Sequence, residues 1–267
     1  MNIFKISIFI IMLFFSCFFS VAVSDRLKQT KENVIKSNKT SSLELKILAE
    51  DYAPYSFMDK GILKGFSIDL IHELLKETKN EHLKIEFWPW ARIYEYVKKK
   101  PNVMTYLMTR LPERENLFHW VGPVSERIIW IWRLKERTDI KIKTLEDAKN
   151  YIIAAVPNSS VSIFLINNGF TKKQLEYVPS EDLALKKFLY GRNDLILEIP
   201  LRMSFEIKKL GKSMNDIEPV LKVTGEYPYY FAFSEKTSES TVKIFQDAFD
   251  LLHKNGTYNK ILLKWMK

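Results

Sequence analysis

Two arginines four residues apart, Arg110 and Arg114, flank a proline in the stretch from Leu107 to Pro123. Pro112 fixes its own φ and disfavours helical geometry at Leu111. Pro112 to Glu115 therefore reads as the first turn of a short helix, with the Thr109 hydroxyl just ahead of it. Backbone N–H groups at a helix start, joined by a guanidinium, form a site for a carboxylate or another anion. A solvated turn with Arg114 paired to Glu113 or Glu115 explains the same residues, and on this stretch alone it is the better-supported reading.

The elements around the stretch change that balance. Leu45 to Ala49 is a short apolar strand that runs into Tyr52-Ala53-Pro54-Tyr55, a loop with aromatics at its tip. Phe66 to Leu75 has helical spacing, Leu83 to Phe87 alternates like a strand, and Trp88-Pro89-Trp90 leads into a second helix through Val97. Val103 to Leu107 is a buried-type strand that enters the arginine stretch. Strand, helix, strand, helix, strand indicates a parallel sheet with packed helices, in which ligands meet the loops beyond the C-terminal strand ends. Tyr52, Trp90 and Thr109 to Arg114 all fall at such ends.

The middle of the chain repeats this logic. Tyr151 to Val156 is a buried strand, followed by Ser159 and Ser160 at the start of a helix through Asn167. Ser180 to Gly191 is a capped helix ending on glycine, Asp194 to Glu198 a strand, and Leu201 to Leu210 a helix. Thr144-Leu145-Glu146-Asp147 has the pattern of a capping box opening a helix. Ile128 to Leu134 is a long strand without turn residues, suited to crossing between lobes, and Tyr227 to Phe233 is another long, aromatic strand, suited to the return. The predicted fold class is α/β with two lobes, two hinge crossings and a cleft between the lobes. Residues 43–130 and 228–267 form lobe 1, and residues 131–227 form lobe 2.

The 267 residues suffice for two such lobes, and the net charge of +9 is spread as lysine along the chain. No block is both basic and aromatic enough for a nucleic-acid groove. His72, His82, His119 and His253 lack metal-ligand spacing, and no nucleophile elbow, phosphate loop or paired-carboxylate motif occurs. No metal, cofactor or catalytic residue is assigned. Asp194 reads as structural, Arg92 as a surface charge, and Trp130, Trp132, Tyr229 and Tyr230 as core and hinge filling. Residues 1–24 read as a signal peptide: Lys5 precedes an apolar run from Ile6 to Val23, and Ala22-Val23-Ser24 offers cleavage before Asp25. An uncleaved anchor is the alternative, since the run approaches the length that spans a bilayer. Cys17 is the only cysteine, so cleavage leaves no thiol. Residues 25–42 are polar and read as a flexible arm.

With these residues laid out, the chain resembles extracellular solute-binding protein family 3, the bilobal periplasmic receptors of polar amino acid uptake, from about Leu45 to Trp265. The resemblance rests on Tyr52 to Phe57, Gly65 to Leu70, Trp88 to Trp90, Thr109 to Arg114, Phe118 to Pro123, Asn158 to Ser160, Gly191 to Asp194, and Asn255 to Tyr258 with Trp265, in family order. It implies a periplasmic-binding-protein-like fold of type II. It also implies a monomer in the periplasm that binds a small solute and delivers it to an ABC-type permease, with no enzymatic activity. Arg114 matches the arginine that clamps the ligand carboxylate, Thr109 a contact to the same group, and Ser160, beside Ser159, a second-lobe hydroxyl facing an anion. Tyr52 matches the aromatic that stacks over the ligand side chain, and Trp90 a pocket-lining position.

One position departs from the family. The acidic residue that binds the ligand's α-ammonium corresponds to Ile199, and the nearest acid, Glu198, is one residue off. In a strand that offset points to the opposite face. Either a bulge restores Glu198 to the cleft, or the ligand lacks an α-ammonium. With Arg110 as a second cation, the expectation moves towards an anionic or aromatic-bearing solute. Two other functions fit the resemblance: a sensor or interaction module of the same fold, and an exported enzyme resembling cyclohexadienyl dehydratases, with Glu198 as its acid.

Overall fold

The computed structural model describes residues 43–223 and 227–265. The expected signal peptide and arm lie outside the described residues. The first sheet contains five strands in the order β4-β1-β5-β12-β6, with β1 Lys46–Ala49, β4 Ile85–Phe87, β5 Val103–Thr109, β6 Phe118–Ser125 and β12 Tyr229–Ser234. Strands β4, β1 and β5 are parallel, as the strand-helix alternation requires, and β12 returns antiparallel between β5 and β6. All seven residues of β5 are buried, which explains its unbroken apolar character. Helices α1 Phe66–Glu77 and α2 Trp90–Lys99 connect the parallel strands, and α6 Glu239–Lys254 and α7 Thr257–Trp265 pack behind them.

The second sheet has the order β11-β7-β10-β8-β9, from β7 Ile129–Leu134, β8 Ile153–Ala155, β9 Leu175–Tyr177, β10 Leu195–Glu198 and β11 Ile217–Val223. Helices α3 Ser160–Asn167, α4 Glu181–Leu189 and α5 Pro200–Lys209 connect its strands. Each begins as its residues dictate: Ser159 and Ser180 cap α3 and α4 through their hydroxyls, and Pro200 occupies the first position of α5.

Two local expectations change. Ile128 to Leu134 and Tyr227 to Phe233 do not themselves bridge the lobes. Strand β7 pairs wholly within the second sheet, placing Ile129 and Trp130 there, and β12 pairs wholly within the first. The described crossing is the short segment 126–128, between β6 of the first sheet and β7 of the second. The Thr144 box also forms, with Asp147 Oδ2 accepting from Lys143 N at 2.9 Å and Thr144 N at 2.8 Å, but it opens only the 3-10 turn Asp147–Asn150.

Between β1 and α1, β2 Phe57–Asp59 and β3 Ile62–Lys64 form a hairpin. The loop before it is pinned to the start of α1, where Phe66 N donates to Pro54 O at 3.1 Å and Ser67 N to Tyr55 O at 2.9 Å. Gly65 makes this approach possible. Its φ is +135°, and a Cβ there would lie 2.1 Å from Tyr55 O.

Candidate functional site

The C-terminal ends of both sheets face one cleft. Strand β1 delivers Glu50 and Tyr52, β4 delivers Trp90 at the first turn of α2, and β5 delivers Thr109 with Arg114 beyond it. From the second sheet, β8 delivers Ser159 and Ser160, β9 delivers Glu181, and β10 ends on Glu198. All of these line one cavity, together with Arg127 and Tyr229.

Arg114 is 1 % exposed. Its Nη1 donates to Thr109 O at 3.0 Å and its Nη2 crosses the cleft to Asn158 O at 2.7 Å, while Nε has no partner. The guanidinium lies 5.6 Å from the Trp90 ring centroid and 5.2 Å from that of Tyr94. No carboxylate pairs with it among the described residues. Burial lowers its pKa to about 10, so it remains a cation at neutral pH. The solvated-turn reading fails because both acids are engaged elsewhere: Glu115 with Arg110, and Glu113 with the side-chain amide of Asn167.

Arg110 does not join the cleft, which corrects its assignment as a ligand-binding residue. Its Nε donates to Glu115 Oε2 at 2.7 Å, and its guanidinium stands over Trp120 and Tyr230 at 5.7 and 5.3 Å. Thr109 and Arg110 are neighbours in an extended segment, so once Thr109 faces the cleft its successor faces away.

At the second lobe, Ser159 Oγ accepts from Ser162 N at 3.1 Å, and Ser160 Oγ accepts from Arg127 Nη2 at 2.7 Å. Arg127, in the segment between the lobes, also donates through Nε to Tyr229 OH at 3.3 Å. Two guanidinium groups thus bracket the start of α3. Trp90 Nε1 reaches Asn158 O at 3.1 Å, giving that carbonyl two donors from the first lobe.

Acids gather at the other end. Glu198 faces the cleft without a bulge, because β10 ends there and Ile199 turns away as the buried cap of α5. Its Oε1 accepts from Tyr52 OH at 3.2 Å and Ile199 N at 2.8 Å, and its Oε2 from Arg202 Nη1 at 2.8 Å. Arg202 is fully buried, also pairs with Asp182, and lies 4.6 Å from the Tyr52 ring centroid. Glu198 is therefore neutralised from within its own lobe. Glu50 and Glu181 have no ion pair among the described residues. Burial, reinforced by neighbouring carboxylates, pushes Glu50 up to about 8 and Glu181 up to about 7.

The structure brings together Tyr52, Trp90, Thr109, Arg114, Ser159, Ser160 and Glu198. It adds Glu50, Glu181, Arg127 and Tyr229, which the sequence reading missed. Tyr229 read as hinge filling, yet its hydroxyl lies 3.3 Å from that of Tyr52 in the cleft wall. Glu50 and Glu181 carried a usable signal, one directly after a strand and one directly after a helix cap. Arg127 carried none, since its place depends on how the two sheets sit together.

The sequence matches the bacterial extracellular solute-binding proteins, family 3, over residues 45–267. The L-cystine-binding protein TcyJ of Bacillus subtilis is 28% identical over 225 residues, 81% of each chain. Among solved structures, an ancestral arginine-binding protein bound to arginine superposes with TM-score 0.68 at 24% identity, over 84% of this chain and 98% of its own. A histidine kinase sensor domain similar to periplasmic binding proteins superposes with TM-score 0.72 at 18% identity, over 84% and 96%. The likeness to both structures is one of fold, the type II periplasmic-binding-protein-like arrangement of two α/β lobes.

Proposed function

The chain belongs to the bacterial extracellular solute-binding proteins, family 3, and from that premise we propose that it is an exported receptor for an amino-acid-like solute. The solute carries a carboxylate and a cationic group, and hinge closure presents it to an ABC-type permease. The observation that carries this reading is Arg114, a buried guanidinium in the cleft that, among the described residues, bonds only to carbonyl oxygens and leaves Nε unpartnered. A solute carboxylate supplies the charge this group lacks. At the other end, Glu50 and Glu181 suit a cation, and this favours an amino-acid-like solute over a purely anionic one. Glu198 orders Tyr52 and Arg202 rather than binding the solute's cation alone. The enzyme alternative with Glu198 as its acid is less favoured, because both carboxylate oxygens of Glu198 already accept from Tyr52, Ile199 N and Arg202.

The test is calorimetry of wild type and Arg114→Ala against a panel of amino acids. Truncation leaves the solute carboxylate unpaired in a closed cleft and costs about 2–5 kcal/mol, roughly thirtyfold to several-thousandfold in affinity. Unchanged affinity in Arg114→Ala, or tight binding of a solute without an anionic group, refutes the proposal.

A further inference from the structure

We infer that protons stand in for the solute's cation in the closed, empty cleft, so that binding an amino acid expels a proton from the pair Glu50 and Glu181. This rests on the reading above, in which the solute's ammonium lies at the acid end of the cleft. The cleft is already closed without a solute. Arg114 and Trp90 of the first lobe reach Asn158 O of the second, and Tyr52 reaches Glu198. Closure shuts in an excess of acids. Glu50, at the end of β1, and Glu181, at the start of α4, line the same cavity from opposite lobes. That cavity amounts to about 40 Å³. A single water needs roughly 10–15 Å³ of such space, so only a few waters can solvate both carboxylates.

Among the described residues, no cation pairs with either acid. Arg202, the guanidinium at this end, is divided between Glu198 and Asp182. Both of those acids still act on Glu50 and Glu181, and Glu181 acts on Glu50. Glu206 and Asp51 add to the negative field around Asp182, with Lys209 beside Glu206 at 3.5 Å. Tyr52 stays neutral, because burial pushes its hydroxyl well above the ordinary value. Arg127 acts on Glu181 from the segment between the lobes, but its donors go to Ser160 and Tyr229. Ionising both carboxylates here leaves two poorly hydrated charges unpaired, and protonation removes that cost. Glu50 and Glu181, held at about 8 and about 7, accordingly keep protons near neutrality. The ammonium of an amino acid supplies the missing positive charge. The acids then ionise, their O–H bonds break, and about one proton passes to the solvent for each molecule bound. The cleft thus exchanges one cation for another, and its affinity rises with pH until both acids are ionised in the empty form.

The test is calorimetry near pH 7 in phosphate and in Tris, whose ionisation enthalpies differ. L-alanine, L-glutamine and L-arginine are the probes, on wild type, Glu50→Gln and Arg114→Ala. The difference in heat between the two buffers counts the protons released. Wild type is expected to release about one proton per molecule bound, and the affinity for the same probe to rise about tenfold from pH 6 to pH 7. Glu50→Gln is expected to lower the count to about half or less and to flatten the pH profile. A side chain that merely shaped the cleft would weaken binding on substitution and leave the count as it was. If Glu50→Gln does not fold, Glu181→Gln makes the same comparison with a smaller step. A count near zero in wild type with binding intact, or an unchanged count in whichever variant folds, overturns the inference. Failure of the underlying reading looks different: no probe binds, or Arg114→Ala leaves every affinity unaffected, and the inference falls with it.

Discussion

Arg114 brings its charge into the cleft without an acidic partner among the described residues, and the geometry of its five N–H groups decides what takes that place. Two nitrogens are occupied by carbonyl oxygens on opposite lobes, which fixes the plane of the fork. Arg114→Lys is therefore expected to bind as poorly as Arg114→Ala, because an ammonium on a flexible stem cannot span both carbonyls and a carboxylate. Rescue by lysine in the same calorimetric series argues for a point charge only. The acids give a pH dependence with a defined sign. Glu50 and Glu181 are held above the ordinary carboxylate value, at about 8 and about 7, so the folded protein binds more protons than the unfolded chain from about pH 4.5 upward. Their contribution to stability is fully present below the unfolded value and is lost as pH rises through 7 and 8. Thermal midpoints of the unliganded protein should fall between pH 5 and pH 8.5, and Glu50→Gln should flatten that slope. An identical slope in the variant would mean that Glu50 does not titrate in this window. Most of these groups are legible in the sequence because each directly follows a strand or opens a helix. Arg110 is misplaced by the same reasoning, since proximity in sequence does not tell which neighbour of a turn faces inward.

The strand ends and helix starts hold these groups in place, and the tightest joint is at Gly65. Gly65→Ala is expected to cost about 2 kcal/mol or more in urea denaturation, because an added Cβ meets the Tyr55 carbonyl and the φ is unsuited to an L-residue. Gly61→Ala, at φ +79° with nothing within 4 Å, serves as control and should cost only about 1 kcal/mol of backbone strain. Equal losses at both positions would remove the special role given to the Gly65 contact. The order of elements reads well from periodicity and punctuation. What does not read is membership of a sheet: β7 and β12 have the unbroken composition of crossings, yet each is hydrogen-bonded within one sheet. Strand pairing joins residues more than a hundred positions apart, such as Tyr229 and Thr109, and nothing in a local window reports it.

The two lobes meet through contacts of different kinds. Deep in the cleft they are polar, from Tyr52 to Glu198 and from Trp90 and Arg114 to Asn158. At the rim, Phe57 of the hairpin meets Phe205 of α5 with ring centroids 5.3 Å apart, and Trp265 backs Phe57 edge-on at 6.0 Å. A half-buried aromatic pair of this type contributes roughly 0.5–1.5 kcal/mol, enough to shift an open–closed equilibrium severalfold. Phe205→Ala should thus raise the radius of gyration of the unliganded protein in solution scattering, and saturating ligand should restore the compact value. A radius unaffected by the substitution would assign closure to the polar contacts alone. The bilobal architecture is visible in the repeated strand-helix order. The contacts between the lobes are not, because they exist only in the assembled molecule.

Asn158 has a φ of +58°, a conformation asparagine tolerates better than most residues, and this turns its carbonyl into the cleft. That oxygen has two lone pairs and receives Arg114 and Trp90, one donor for each. A main-chain oxygen has no codon of its own. Point mutation can repaint every side chain around the solute, yet this acceptor persists for as long as the turn does. Heredity thus treats the two sides of this grip separately: the donors Arg114 and Trp90 are open to substitution, while the acceptor they meet is inherited with the turn.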